Sequence, residues 1–220
     1  MVVANLDNQY KKFEELIDSY LTEDHRDIVK KAYIYAEKAH GDQIRLTGDR
    51  FITHPLATAY NLAELHLDYQ TLSAGLLHDV IEDCDVSNED LIAEFGEDIA
   101  KLVSGVTKLT EVENVSEIRW EENNQTHSLA EAQTLRKMLM TVAEDVRVVL
   151  IKLSDRLHNI ETVDPLPSER KIKFAKETME IYAPLAHRLG MWDFKWRLED
   201  LSFRILDPNM YKKVAKLINS

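Results

Sequence analysis

A single cysteine among 220 residues leaves Cys84 without a partner for an internal disulfide and fits a reducing compartment. With no second thiol, Cys84 reads as a small packing residue rather than a ligand. Six glycines and five prolines are few, as expected where most residues sit in helices. No apolar run reaches the ~18–20 residues that span a bilayer, and no basic-then-apolar leader opens the chain. The expectation is a cytoplasmic protein without a membrane partner. Cations are outnumbered, with 27 Lys and Arg against 39 Asp and Glu and a net charge of −12. That balance argues against nucleic acid as a direct partner, since phosphate backbones need clustered Lys and Arg. It leaves room for a phosphorylated small ligand, because a bound cation and a few local Arg or Lys reverse the sign inside one cleft.

What the chain does have is helical periodicity. Amphipathic runs predict helices over 5–21 and over 27–40, the second with Ile28, Ala32 and Tyr35 on one face. Pro55 fits the first position of a helix running to residue 66. Further helices are expected over 72–83, 98–104, 129–142, 143–162 and 168–189. Ser87 and Asp90 form a variant capping box that opens a helix ending near Gly96. Val146 to Ile151 is β-branched enough for a strand, but Asp155, Asn159 and Thr162 continue at helical spacing, so helix is assigned. Residues 110–126 lack a clear period and read as a mobile loop, with Trp120 folding onto the body. No internal repeat is seen. The fold class is all-α, a bundle of about ten helices, and 45% hydrophobic content suffices for one sizeable core with a small subdomain.

The densest chemistry lies in His78-Asp79-Val80-Ile81-Glu82-Asp83. On a helix, His78 and Glu82 share one face, as do Asp79 and Asp83. Three neighbouring carboxylates raise each other's pKa unless a cation neutralises them. A solvated acidic face is the plain alternative for this segment alone. Two other segments supply what a metal site needs. Phe51-Ile52-Thr53-His54-Pro55 holds a histidine at a rigid helix start. In the segment from Lys152 to Thr162, Asp155, Asn159 and Thr162 form a polar stripe opposite the core-facing Leu153, Leu157 and Ile160. Together they give His54, His78, Asp79 and Asp155 as a metal-ligand set. A mixed imidazole and carboxylate set suits Mn, Fe, Co or Zn better than Ca or Mg. Glu82 and Asp83, one turn beyond, would orient a water or shuttle its proton.

This H…HD…D order resembles the HD superfamily of metal-dependent phosphohydrolases, and within it the hydrolase domain of the long bifunctional RelA/SpoT homologues. The resemblance runs from about Asp27 to Pro208 through His40 to Arg45, Phe51 to Pro55, Gly75 to Asp83, Gly105 to Leu109, Arg136 to Met140, Lys152 to Asn159 and Glu180 to Gly190. It implies an HD-domain helical bundle, Mn²⁺ as the ion, and hydrolysis of ppGpp and pppGpp at the 3′ position, releasing diphosphate and leaving GDP or GTP. It further implies that Arg45 contacts the nucleotide and that Thr47, Asn159 and Thr162 touch base, ribose or phosphate. Leu46 stands where the family commonly has lysine, a departure that bears on substrate affinity and leaves the metal set intact. Residues 1–163 are expected to form the hydrolase domain. Residues 164–220 resemble the helical linker that leads toward a synthetase, absent here. That suggests a hydrolase fragment of a longer protein whose partners are its own synthetase and regulatory domains. Two other readings stay open, an HD-type phosphohydrolase of another nucleotide and a non-catalytic helical regulatory module.

Overall fold

A computed structural model describes residues 2–122, 136, 138, 140, 141 and 143–218. Among them helices form throughout and no β-strand does; the one sheet-like feature is an isolated antiparallel bridge between Ile44 and Arg50. The chain divides into two units, residues 1–155 and 156–220.

The first unit holds α1 (Val2–Asp18), α2 (Glu23–His40), α3 (Thr53–Glu64), α4 (Tyr69–Leu77), α5 (Val80–Asp83), α6 (Asn88–Phe95) and α7 (Glu97–Glu122), followed by α8 (Val146–Glu161) as far as Asp155. α4 is its centre and packs against α2, α3 and α7. Its sequence explains this, because Leu72, Ala74, Gly75, Leu76 and Leu77 leave no polar face and every residue from Thr71 to His78 is buried. A helix with no charged side chain, and only the small hydroxyls of Thr71 and Ser73 among its buried apolar residues, belongs inside. Asp68 caps its start, its carboxylate accepting from Thr71 N at 3.0 Å. α2 turns Val29, Ala32, Tyr33, Ala36 and His40 inward, a stripe one residue off the expected Ile28–Ala32–Tyr35 face.

Two glycines set how closely these helices approach. A Cβ on Gly75 would lie 2.7 Å from Leu62 Cδ1, so α4 nestles against α3. A Cβ on Gly105 would lie 2.8 Å from Val148 Cγ2, so α7 meets α8 equally closely. Ser154 in α8 donates to the Thr58 carbonyl of α3 at 2.8 Å, which ties the third segment of the expected metal set to the first.

Four expectations change. The helix over 72–83 is broken by a turn at His78 and Asp79, whose backbones stay in the right-handed region (Asp79 φ −96°, ψ −9°) before α5 resumes. The expected loop from residue 110 is helical to Glu122 as the continuation of α7; its acidic residues hid the period. Residues 123–126 and the Trp120 side chain lie outside the described residues, as does most of the helix expected over 129–142. Pro55 sits in the third position of α3 rather than the first. The expected helix over 168–189 contains a π-helical turn, Thr178–Tyr182, between α9 (Ser168–Glu177) and α10 (Ala183–Arg188). Pro184 explains it: lacking N–H and crowding the carbonyl four residues back, proline is relieved by a widened turn. The Ser87–Asp90 capping box forms as expected.

The second unit completes α8 and adds α9, the π turn, α10, α11 (Trp192–Leu206) and α12 (Pro208–Ile218). Arg156 anchors it from inside. Its guanidinium donates to Thr178 Oγ1, the Phe174 carbonyl and Glu177 Oε2, each at 2.9 Å, and stacks 3.6 Å over the Phe174 ring. A buried cation requires such pairing.

Candidate metal centre

Three segments far apart in sequence converge inside the first unit. His54 sits in the first turn of α3, delivered by a tight loop in which Phe51 N bonds Gln43 O, Gly48 N bonds Arg45 O and His54 N bonds Phe51 O, all at 2.9 Å. Gly48 turns that loop at φ +87°, a conformation that favours glycine. His78 ends α4, and Asp79 occupies the break before α5. Asp155 comes from α8.

His54 Nε2 lies 3.2 Å from Asp155 Oδ1 and 3.4 Å from Asp79 Oδ2. His78 Nε2 lies 3.1 Å from Asp79 Oδ1 and 3.9 Å from Asp155 Oδ1. One ligand atom from each of His54, His78 and Asp155 fits within a 4.8 Å spread. Asp79 meets the two imidazoles through different oxygens, so it closes the group from the side. The break at His78–Asp79 matters here, because both neighbours can then face the same point, which consecutive residues of a regular helix do not.

The donor set fits a divalent ion. His78 Nδ1 donates to the Gly75 carbonyl at 2.8 Å, which leaves Nε2 as the bare lone pair. That Nε2 is buried and has no hydrogen-bond partner among the described residues. Burial holds the His54 imidazole below its ordinary pKa against the pull of Asp155 and Asp79, so it is neutral and able to ligate. Burial works against ionised Asp155, yet the Lys152 ammonium and a hydrogen bond with His54 outweigh it and hold the carboxylate well below its usual range.

Glu82, Asp83 and Arg45 lie within electrostatic reach of the ligand carboxylates. Burial, reinforced by Asp79 and opposed by Lys152, pushes Glu82 up to about 7. Asp83 is raised by burial and by Asp79, and its carbonyl accepts from Gln43 Nε2 at 3.1 Å. Arg45 is half-buried; burial lowers its pKa while Asp155, Asp79 and Asp49 raise it, so its guanidinium lies in the field of the ligand carboxylates. Leu46 is 77% exposed and Thr47 is exposed on the same loop. Asn159 and Thr162 belong to the second unit, where Thr162 Oγ1 donates to the His158 carbonyl at 2.9 Å.

Two residues given no role from sequence also belong to the centre. Lys152 is buried, and its Nζ donates to Asp155 Oδ2 at 3.0 Å and to Thr110 Oγ1 at 3.1 Å. Thr110 in turn is hydrogen-bonded to the Glu82 carboxyl. The spacing of Lys152 and Asp155, three apart on one helix, was the available signal; Thr110 offered none.

An all-helical scaffold that brings two imidazoles and two carboxylates together in this order has the features of an HD domain, with a donor set that could hold a divalent ion. The family model for the HD domain matches residues 32–192, and the chain belongs to that family. Among its relatives, the guanosine-3′,5′-bis(diphosphate) 3′-pyrophosphohydrolase of Vibrio cholerae is 42% identical over 211 residues, covering 96% of this chain and 28% of the relative. The enzyme of the same name from Aquifex aeolicus is 45% identical over 205 residues, covering 93% and 27%. The bifunctional (p)ppGpp synthase/hydrolase SpoT of Escherichia coli K12 is 42% identical over 211 residues, covering 96% and 29%. The chain thus spans less than a third of the length of these relatives. The solved structure of a metazoan orthologue of SpoT, described as hydrolysing ppGpp, aligns with a TM-score of 0.58 and 23% identity, over 84% of this chain and 96% of that one; it supports the fold.

Proposed function

We propose that this chain is a Mn²⁺-dependent 3′-pyrophosphohydrolase of ppGpp and pppGpp, releasing diphosphate and leaving GDP or GTP. The observation that carries the reading is the convergence of His54, His78, Asp79 and Asp155 on one buried point with an orphaned imidazole nitrogen. The names of the relatives supply the substrate class.

In this reading those four residues hold the ion. A bound divalent ion supplies an activated water and polarises the phosphoryl oxygens of a highly charged ester. Glu82, whose carboxyl titrates near neutrality, takes and returns a proton, and Asp83 orients the water beside it. Arg45 pairs with phosphate or stacks on the base, Thr47, Asn159 and Thr162 complete the nucleotide contacts, and Leu46 contributes packing. Residues 1–163 are the hydrolase and 164–220 a helical linker. The larger relatives suggest a protein that works beside its own synthetase and regulatory domains. No described helix is long and apolar enough to cross a membrane, and we place the enzyme in the cytoplasm.

The test is direct. The chain incubated with ppGpp and Mn²⁺ yields GDP and diphosphate, and stripping the metal abolishes turnover. Hydrolysis of unrelated nucleotides at equal rates, or undiminished turnover after chelation, would overturn the reading.

A further inference from the structure

Lys152 is the one residue of the centre whose charge is hard to explain by metal binding alone. A buried ammonium beside a cation site repels the ion, and burying it at all is costly without compensation. Its surroundings indicate what offsets that. Lys152 reaches Asp155 on the oxygen turned away from the histidines, Oδ2 at 3.0 Å, while Oδ1 faces His54 at 3.2 Å. The same ammonium donates to Thr110 Oγ1 at 3.1 Å, and Thr110 is hydrogen-bonded to Glu82. A lysine Nζ has three protons and no lone pair, so both contacts are donations and their geometry is directional. Thr110 accepts from Lys152 with a lone pair and shares its own proton between the Val106 carbonyl, 3.3 Å away, and the carboxylate of Glu82.

We propose that Lys152 is a positioning residue that, through Thr110, couples the metal-binding carboxylate of Asp155 to the acid–base carboxylate of Glu82. Its contact with Oδ2 holds Asp155 to one oxygen on the ion. Its contact with Thr110 fixes the hydroxyl that aims Glu82. Ligand and acid–base group, 73 positions apart in sequence, are thereby held in register by a single buried charge. The role assigned to Glu82 rests on the function proposed above; the restraint on Asp155 does not.

The two arms of the test separate these. Co²⁺ replaces the native ion as a spectroscopic probe, and its binding to Lys152→Met and Lys152→Arg is followed by titration and by its visible absorption bands. Lys152→Met should change Co²⁺ affinity by about tenfold or more and shift the bands, the usual scale for losing a group that orients a ligand; Lys152→Arg should recover most of both. This arm needs no substrate. Thr110→Val, nearly isosteric and off the ligand set, should leave Co²⁺ affinity and spectrum within about twofold of the parent while lowering kcat for ppGpp by about tenfold or more, at little changed KM. Thr110→Ser should restore the rate. A Lys152→Met protein that is folded by circular dichroism and binds Co²⁺ with parental affinity and bands overturns the restraint on Asp155. A parental kcat in Thr110→Val overturns the link to Glu82. Absence of ppGpp turnover in the parent chain counts against the proposed function and leaves the Co²⁺ arm standing.

Discussion

Replacing Gly105 by alanine tests whether the α7–α8 contact sets the metal centre. The new Cβ would lie 2.8 Å from Val148 Cγ2 and 3.2 Å from Cγ1. Carbon atoms settle at about 3.5–4.0 Å, so the helices must separate by roughly 0.7 Å or Val148 must turn away. Valine in a helix keeps one strongly preferred rotamer, which closes the second route. Overpacking of this kind costs about 1–3 kcal/mol, while exchanging Gly for Ala inside a helix gains about 1 kcal/mol. The net is a loss of roughly 0–2 kcal/mol. Val148→Ala removes both offending methyls and alone costs about 2 kcal/mol for lost burial and the cavity left behind. The double variant should then be more stable than the two single changes add up to, by about 1–2 kcal/mol.

Val148 and Asp155 are seven residues apart in α8 and so share a face two turns apart. A retreat of α8 at Val148 therefore draws Asp155 away from His54. Gly105→Ala should weaken metal binding, and Val148→Ala in the same chain should restore it. The assay is a urea unfolding series on parent, both single variants and the double variant, with metal titration of each. If the two changes are additive within about 0.3 kcal/mol, or if Gly105→Ala simply stabilises by its helix propensity, the close contact does not limit the approach of the helices.

Asp79→Ala should abolish metal binding and turnover while circular dichroism stays helical, because Leu76, Leu77 and Val80 are fully buried and hold the segment without it; full metal content in that variant would remove Asp79 from the ligand set. Glu82→Gln and Asp83→Asn should keep the metal and slow hydrolysis by ~10²-fold or more; joint loss of metal and activity in both would make them ligands. Arg45→Ala should raise KM more than it lowers kcat, since it removes mainly ground-state contact, and a purely kcat effect would contradict its placement. Leu46→Lys should tighten nucleotide binding by at most ~1 kcal/mol, because a side chain 77% exposed is screened by solvent; a weaker complex would mean that the loop presents residue 46 away from the nucleotide.

How much of this was readable from the chain depended on the range of the interaction involved. The helical bundle and the Ser87 cap follow from local patterns, and each appears where periodicity or cap chemistry put it. The histidines and aspartates that converge here were recognisable because their motifs are short and chemically distinctive. The break at His78–Asp79 was not, because neither residue is a helix breaker and the apolar pattern runs straight through it. α7 was cut short for the opposite reason: its second half alternates acidic and apolar residues too irregularly to display a face, although its backbone continues the helix. The π turn at Thr178 had its signal in Pro184, which lies inside the single helix expected over 168–189.

Lys152 marks the sharper limit. In sequence it is one more lysine on an amphipathic helix, a residue type that is almost never fully buried unless paired. Its pairing with Asp155 is local, but the acceptor that links it toward Glu82 comes from Thr110, 42 positions upstream, in a stretch whose period gave no reason to expect a helix at all. Ligands announce themselves by type, because a metal demands imidazole and carboxylate. A positioning group is chosen only by where its neighbours happen to lie, and lysine, threonine or glutamine will serve according to the gap to be filled. The residues that bind the ion are therefore the legible part of such a centre, and the residues that aim those ligands emerge only once α4, α7 and α8 have been packed against one another.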